Sequence, residues 1–261
     1  MSPLGSIVAA APLPRHLPVR MAAALALRGG WQVEGVSIES TLGRVALFGT
    51  VVFAFSGTLT AVRSDMGLLG AMILATVTAV GGGTIRDLLL GTGRKAFWIE
   101  DVTVLNVCVI TCLLTLTVWP ALARRLDIKD SAWPFCVSDA LGMSAFAVLG
   151  ADRGLDAGVG AQGGALCGLL SATGGGVVRD VLCLKPPRIL QANRSMYGTP
   201  ALVGSMLYVT MRTVLSAPED LALAVGFLGC LSLRVCAFTF GIAPPSAKTP
   251  LTLNKVDGLV D

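Results

Sequence analysis

Gly81-Gly82-Gly83-Thr84-Ile85-Arg86-Asp87 returns 93 positions later as Gly174-Gly175-Gly176-Val177-Val178-Arg179-Asp180. The same offset, without a gap, carries Phe53-Ala54 and Gly57 onto Phe146-Ala147 and Gly150. It also carries Gly49, Gly67 and Gly70 onto Gly142, Gly160 and Gly163, Ala79 onto Ala172, and Leu89 onto Leu182. The chain is therefore internally duplicated. Each copy holds a glycine triplet and an Arg-Asp pair inside an apolar stretch, where charge is costly, so these residues are the first candidates for function.

Of the 261 residues, 54% are hydrophobic and 14% charged, and the mean hydropathy is +0.75. Soluble domains carry about 25% charged residues, so this chain cannot cover a water-facing surface and its solvent is a bilayer. The net charge of +4 includes no basic run suited to nucleic acid, and the single histidine, His16, argues against a His-based metal site or catalytic triad. Phosphate-loop, zinc-protease and nucleophile-elbow motifs are absent, and the glycine triplets lack the strand and βαβ frame of a dinucleotide fold. The expectation is a protein that is no enzyme and needs neither cofactor nor metal. Its seven cysteines, at 108, 112, 136, 167, 183, 230 and 236, form no C-x-x-C pair and read as small core residues.

A membrane-crossing helix needs about 20 mostly apolar residues. Seven stretches qualify, near 44–62, 67–90, 102–122, 135–151, 156–183, 197–216 and 219–241. Trp98, Trp119, Trp133 and Tyr197 sit near their ends, as interfacial aromatics do. The chain divides into residues 1–41, a first three-helix repeat at 42–125, a second at 134–217, a seventh helix at 218–241 and a C-terminal tail at 242–261. Residues 1–41 read as a tail or an organelle transit segment, since Arg15, Arg20 and Arg28 precede the first acidic residue, Glu34.

Three helices per repeat is an odd number, so the second copy enters the bilayer from the opposite side. The expected fold is an all-α membrane protein, a 3+3 inverted repeat plus one C-terminal helix. Arg63, Arg124, Arg125, Lys129, Lys185, Arg188, Arg194, Lys248 and Lys255 gather on one side, which places the C-terminus in the cytosol, beneath a plasma or organelle membrane.

A glycine costs about 1 kcal/mol in a helix relative to alanine. Three in succession predict that the second and fifth helices unwind or kink at Gly81–Gly83 and Gly174–Gly176. Unwound backbone at membrane depth is tolerated only where it is buried in protein or lines a wet cavity, and paired broken helices mark a permeation or binding site. The alternative is close helix packing, which also suits Gly49, Gly57, Gly67, Gly70, Gly142, Gly150, Gly160, Gly163 and Gly164.

Adjacent helical side chains point about 100° apart. Arg86 and Arg179 are accordingly expected to pair with acceptors on the other repeat rather than with Asp87 and Asp180. These four residues form either a structural ion network or a contact for permeant ions. Asp139 reads as a helix cap or as an acid facing a wet cavity, and Arg234 needs a carboxylate, lipid phosphate or water. Ser56, Thr58, Thr60, Thr76 and Thr78 read as hydroxyls bonded back to their own helices. Lys185-Pro186-Pro187-Arg188 reads as a rigid interfacial loop against lipid headgroups.

Phe-Ala-x-x-Gly followed by Gly-Gly-Gly-x-x-Arg-Asp-x-Leu, twice in seven helices, resembles the bacterial TRIC-type family (trimeric intracellular cation channel-like), also catalogued as tandem glycine transporter domains. The resemblance covers about residues 42–240. It implies homotrimers whose subunits each hold a pore for monovalent cations, chiefly potassium, lined at Gly81–Gly83 and Gly174–Gly176. Animal members have a lipid-binding Lys-Glu-Val motif in the second helix, and this chain has Gly-Gly-Gly-Thr-Ile-Arg-Asp there. Inverted repeats serve carriers as well as channels, so a secondary transporter of glycine or another small amino acid is the rival reading, and a purely structural membrane protein a third.

Overall fold

A computed structural model describes residues 32–33, 36–37, 40–91, 96–100, 102–125, 132–191 and 196–243. Most of residues 1–41, on which the transit-segment reading falls, and the C-terminal tail past 243 lie outside the described residues. Helices carry the fold. They are α1 (Thr41–Arg63), α2 (Leu68–Leu90), α3 (Thr103–Arg125), α4 (Ala132–Asp156), α5 (Gly160–Leu182), α6 (Gly198–Thr213) and α7 (Glu219–Thr239). A helical turn at Phe97–Glu100 precedes α3, and a two-residue antiparallel strand pair, Gln32–Val33 with Val36–Ser37, precedes α1.

Local chemistry sets the helix ends. Ser40 caps α1 by accepting from the Gly43 N–H at 3.1 Å. Gly91 closes α2 in the left-handed conformation at φ 59°, which glycine adopts without penalty. Pro218 leads into Glu219 and Asp220, whose charges favour the N-terminal end of the α7 dipole. Thr58, Thr60, Thr76 and Thr78 donate to carbonyls four residues back at 2.6–2.9 Å, so their hydroxyls are satisfied within their own helices.

Six of these helices are long and apolar enough to cross a membrane. The sixth of the seven expected crossings is shorter than the sequence suggests, because α6 stops at Thr213 and has 16 residues. At 1.5 Å per residue it rises about 24 Å, against a hydrocarbon core of about 30 Å. Helix α4 is central, packed by α1, α5, α6 and α7, whereas α3 packs on α1 and α2 at the edge. The apolar spans agree with this, 78% buried for α4 and 28% for α3. Ile110, Leu113, Leu114 and Val118 of α3 are exposed, which suits a lipid-facing surface.

Residues related by the repeat meet reciprocally. Phe53 and Phe146 stack with centroids 5.3 Å apart and planes within 9°. The missing Cβ of Gly49 faces the Phe146 ring, and that of Gly142 faces the Phe53 ring. Gly57 lies against the Leu74 carbonyl, and its counterpart Gly150 against the Cys167 carbonyl, at the equivalent position. Reciprocal contact of equivalent residues is the mark of an approximate two-fold relation. The order 49 with 146 and 53 with 142 also makes α1 and α4 antiparallel. Gly67 and Gly160, by contrast, have open space around the Cβ position, so close packing does not explain them.

A polar tie joins α4 to α6 near their C-terminal ends. Tyr208 is fully buried on α6 and donates to Oδ1 of Asp152 on α4 at 2.5 Å. Tyr208→Phe keeps the ring and leaves that carboxylate oxygen without its donor, a change that costs about 1–3 kcal/mol. The variant should melt measurably below the wild type in detergent; an unchanged melting temperature would mean that water replaces the hydroxyl.

Candidate functional site at the crossing of α2 and α5

The two glycine triplets meet each other. A methyl group on Gly82 would overlap the Ser171 carbonyl oxygen, and one on Gly175 would overlap the Thr78 carbonyl oxygen. Ser171 is the repeat counterpart of Thr78, so this contact is reciprocal as well. The Cβ position of Gly81 lies 3.3 Å from Gly175 Cα, and that of Gly174 lies 3.0 Å from Gly82 Cα. Because 78 meets 175 and 82 meets 171, α2 and α5 are antiparallel and cross backbone on backbone.

The expected unwinding is not found. Both helices run unbroken through their triplets. A helix that keeps its internal bonds leaves no backbone group stranded in hydrocarbon, and close approach supplies packing that only glycine permits. The carbonyls of the triplets are thus engaged within the helices in this structure.

An Arg-Asp pair flanks each end of the crossing. Arg86 is 2% exposed and donates from Nε to Asp87 Oδ1 at 2.9 Å, and from Nη1 across to Ser171 Oγ on the other repeat at 3.2 Å. Arg179 does the same with Asp180 Oδ1 at 3.0 Å and, across the repeat, with Ser56 Oγ at 3.1 Å. The expectation that neighbouring Arg and Asp would not pair is therefore corrected. The long arginine side chain curls back onto its neighbour's carboxylate and still reaches the other repeat. The cross-repeat acceptors are hydroxyls, which sequence reasoning missed, having grouped Ser56 with the back-bonded residues.

The two ends differ in depth and in charge. Asp87 is 24% exposed. Arg179 instead bonds Asp139 Oδ1 at 2.9 Å with both side chains fully buried. Arg188 adds weaker ion pairs, with Nη1 at 3.8 Å from Asp139 Oδ2 and Nε at 3.9 Å from Asp180 Oδ2. Arg179, Arg188, Asp139 and Asp180 make an electrically neutral quartet, the condition under which buried charge is tolerated. Phe135 lies under it, with the guanidinium carbons of Arg188, Arg179 and Arg63 at 4.1, 5.0 and 5.3 Å from the ring centroid. Tyr197 OH reaches Asp139 Oδ1 at 3.4 Å, and Arg234 lies over the Tyr197 ring while donating to the Met196 carbonyl at 2.6 Å.

Two earlier expectations change here. Asp139 is neither a cap nor exposed to a cavity, because α4 begins at Ala132 and the carboxylate pairs with Arg179. Tyr197 is buried at 4% exposure rather than interfacial. One signal was present in the sequence. The counterparts of Phe135, Asp139 and Tyr197 in the first repeat are Leu42, Ala46 and Val104, so the copies differ where the quartet stands. All seven cysteines are free, and no group of metal-ligating side chains occurs among the described residues.

Comparison with known proteins agrees with this architecture. A family described as "Glycine transporter" matches residues 45–120 and 136–213, once per repeat. The inner membrane protein YadS of Escherichia coli K12 is 35% identical over 200 residues, covering 77% of this chain and 93% of its own length. A Vibrio cholerae membrane protein is 35% identical over 207 residues, covering 79% and 83%. The TRIC trimeric intracellular cation channel orthologue of Rhodobacter sphaeroides superposes with a TM-score of 0.67 at 35% identity, over 76% of this chain and 97% of that one. Another solved TRIC cation channel gives a TM-score of 0.68 at 34% identity, over 80% and 98%. Matched in both repeats, along most of its length and in its shape, the chain belongs to the bacterial TRIC-type family of multi-pass integral membrane proteins.

Proposed function

We propose that the protein is a passive channel for monovalent cations, chiefly potassium, and that each subunit of a homotrimer holds its own pore beside the crossing of α2 and α5. The crossing itself carries the reading. Two glycine-rich backbones lie in contact, antiparallel, with a buried arginine at either end bonded to a hydroxyl of the opposite repeat. Antiparallel placement of equivalent helices is what an inverted-topology repeat requires. The solved relatives named above are cation channels, which favours conduction over binding alone.

In this reading the structure is a closed state. Ions pass only after α2 and α5 separate or bend at their triplets, where each glycine weakens the helix by about 1 kcal/mol. The bond from Arg86 to Ser171 locks α2 to α5 directly, and that from Arg179 to Ser56 holds α5 against α1. Asp87 on one side, and Asp139 with Asp180 on the other, offset the arginine charge that would otherwise repel a cation. The bias of basic residues near the helix ends supports a cytosolic C-terminus in this reading.

A carrier for glycine is the second reading, and the family's description is the observation behind it. Liposomes holding the purified protein separate the two. The channel reading expects potassium flux that does not saturate with concentration and no uptake of labelled glycine. Saturable glycine uptake without potassium current would reverse the order of the readings.

A further inference from the structure

We propose that the loop between α5 and α6, residues 184–191, together with the α1–α2 turn, binds the phosphate headgroup of an anionic phospholipid. The loop begins where the α5 span ends, at Leu182, which is headgroup depth for a helix that crosses the bilayer. Leu184 is 95% exposed and Leu190 78%, and between them stand Lys185 and Arg188. Leucines presented this fully suit the acyl boundary, whereas in water they would forfeit the gain of burial. A lysine between such leucines extends its charged tip to the phosphate level.

The loop is built to hold that arrangement. Leu184 takes a positive φ of 54°, which turns the chain out of α5. Backbone bonds from Leu184 N to Val181 O and from Lys185 N to Asp180 O, both 2.9 Å, fix the exit. Pro186 and Pro187 follow, then a 3-10 turn at Arg188–Leu190 and a bond from the Gln191 side chain to the Pro186 carbonyl. The Arg188 N–H bonds Asp180 Oδ2 at 3.3 Å. An ordered loop loses little further entropy on binding a ligand.

Charge completes the argument. Asp139 and Asp180 are balanced within the buried quartet by Arg179 and Arg188. Lys185, in contrast, is exposed and donates to a neutral hydroxyl, Ser64 Oγ, at 3.2 Å, which joins the loop to the α1–α2 turn beside Arg63. Asp65 of the same turn is exposed and offsets Arg63, so Lys185 leaves this end of the bundle with a net positive charge in an apolar frame, which favours an anionic headgroup over a zwitterionic one.

The test uses the full-length protein in detergent, titrated with phosphatidylglycerol or with phosphatidylcholine, with binding followed by native mass spectrometry. A basic residue at the membrane surface contributes about fivefold in affinity. Lys185→Gln should weaken phosphatidylglycerol binding by about that factor and leave phosphatidylcholine unchanged, and Lys185→Arg should retain the wild-type affinity. Leu184→Ser should weaken both lipids. An unchanged phosphatidylglycerol affinity in Lys185→Gln would overturn the proposal, and so would equal weakening of both lipids in that variant. Displacement of the lipid by millimolar inorganic phosphate would overturn it too, by making free phosphate the ligand. The readout involves no current, so its failure leaves the channel reading standing and the failure of that reading leaves this site standing.

Discussion

Arg179→Met is expected to lower the melting temperature of the purified protein by about 10 °C, and Arg86→Met by only a few degrees. The two arginines occupy equivalent positions, bond their own neighbouring aspartates and reach hydroxyls on the opposite repeat. What differs is what each leaves behind. Methionine at 179 leaves Asp139, which is fully buried, and Asp180, at 5% side-chain exposure, with the longer ion pairs to Arg188, the Tyr197 hydroxyl at 3.4 Å and the Arg188 N–H at 3.3 Å. Breaking a buried pair from one side costs about 3–5 kcal/mol, because a charge stays buried without compensation. Methionine at 86 leaves Asp87, at 24% exposure, which water can reach. Restoring neutrality should restore stability, so Arg179→Met with Asp139→Asn is expected to recover a large part of the loss. Equal melting shifts for the two single variants would show that depth and partner count do not separate the two ends.

The repeat and its glycines were legible because they are local patterns, and the structure brings equivalent glycines into equivalent contacts. The fate of the triplets was not legible. The propensity argument weighed glycine against alanine in an isolated helix, whereas here two triplets face each other and gain contact that a side chain would prevent. The partners of the buried charges were illegible for another reason. Ser56 and Arg179 are 123 residues apart, and nothing local distinguishes Ser56 from the threonines that bond back along their helices. Asp139 stood out as a charge in an apolar segment, yet its neutralisation depends on α4 lying against α5. Arg188 was read as part of a surface loop, and it also turns inward over Phe135. The length of α6 was overestimated because Val214 and Leu215 extend the apolar run past the last helical residue.

Alanine at Gly82 or Gly175 is expected to destabilise the closed crossing of α2 and α5, and leucine at either, whose bulk fills the ion path even when the helices part, to abolish potassium flux. A methyl at these positions overlaps a carbonyl oxygen of the facing backbone, which cannot rotate aside as a side chain can. Forcing extra volume into a packed contact costs about 1–3 kcal/mol, against which the better helix propensity of alanine returns about 1 kcal/mol. Space at the other glycines sets the controls. Gly81→Ala meets Gly175 Cα at 3.3 Å and should have an intermediate effect, while Gly67→Ala meets nothing within 4 Å and should be silent. Melting temperature, measured on all four alanine variants, tests whether the loss of stability follows that order, and liposome flux tests whether a loosened crossing changes conduction. If Gly82→Ala melts and conducts like Gly67→Ala, the close crossing does not describe the working protein. The approximate two-fold adds a sharper condition. Gly82 and Gly175 make equivalent contacts, so their stability losses should match; a matched loss of stability with unmatched loss of flux would place the ion path nearer one triplet than the other.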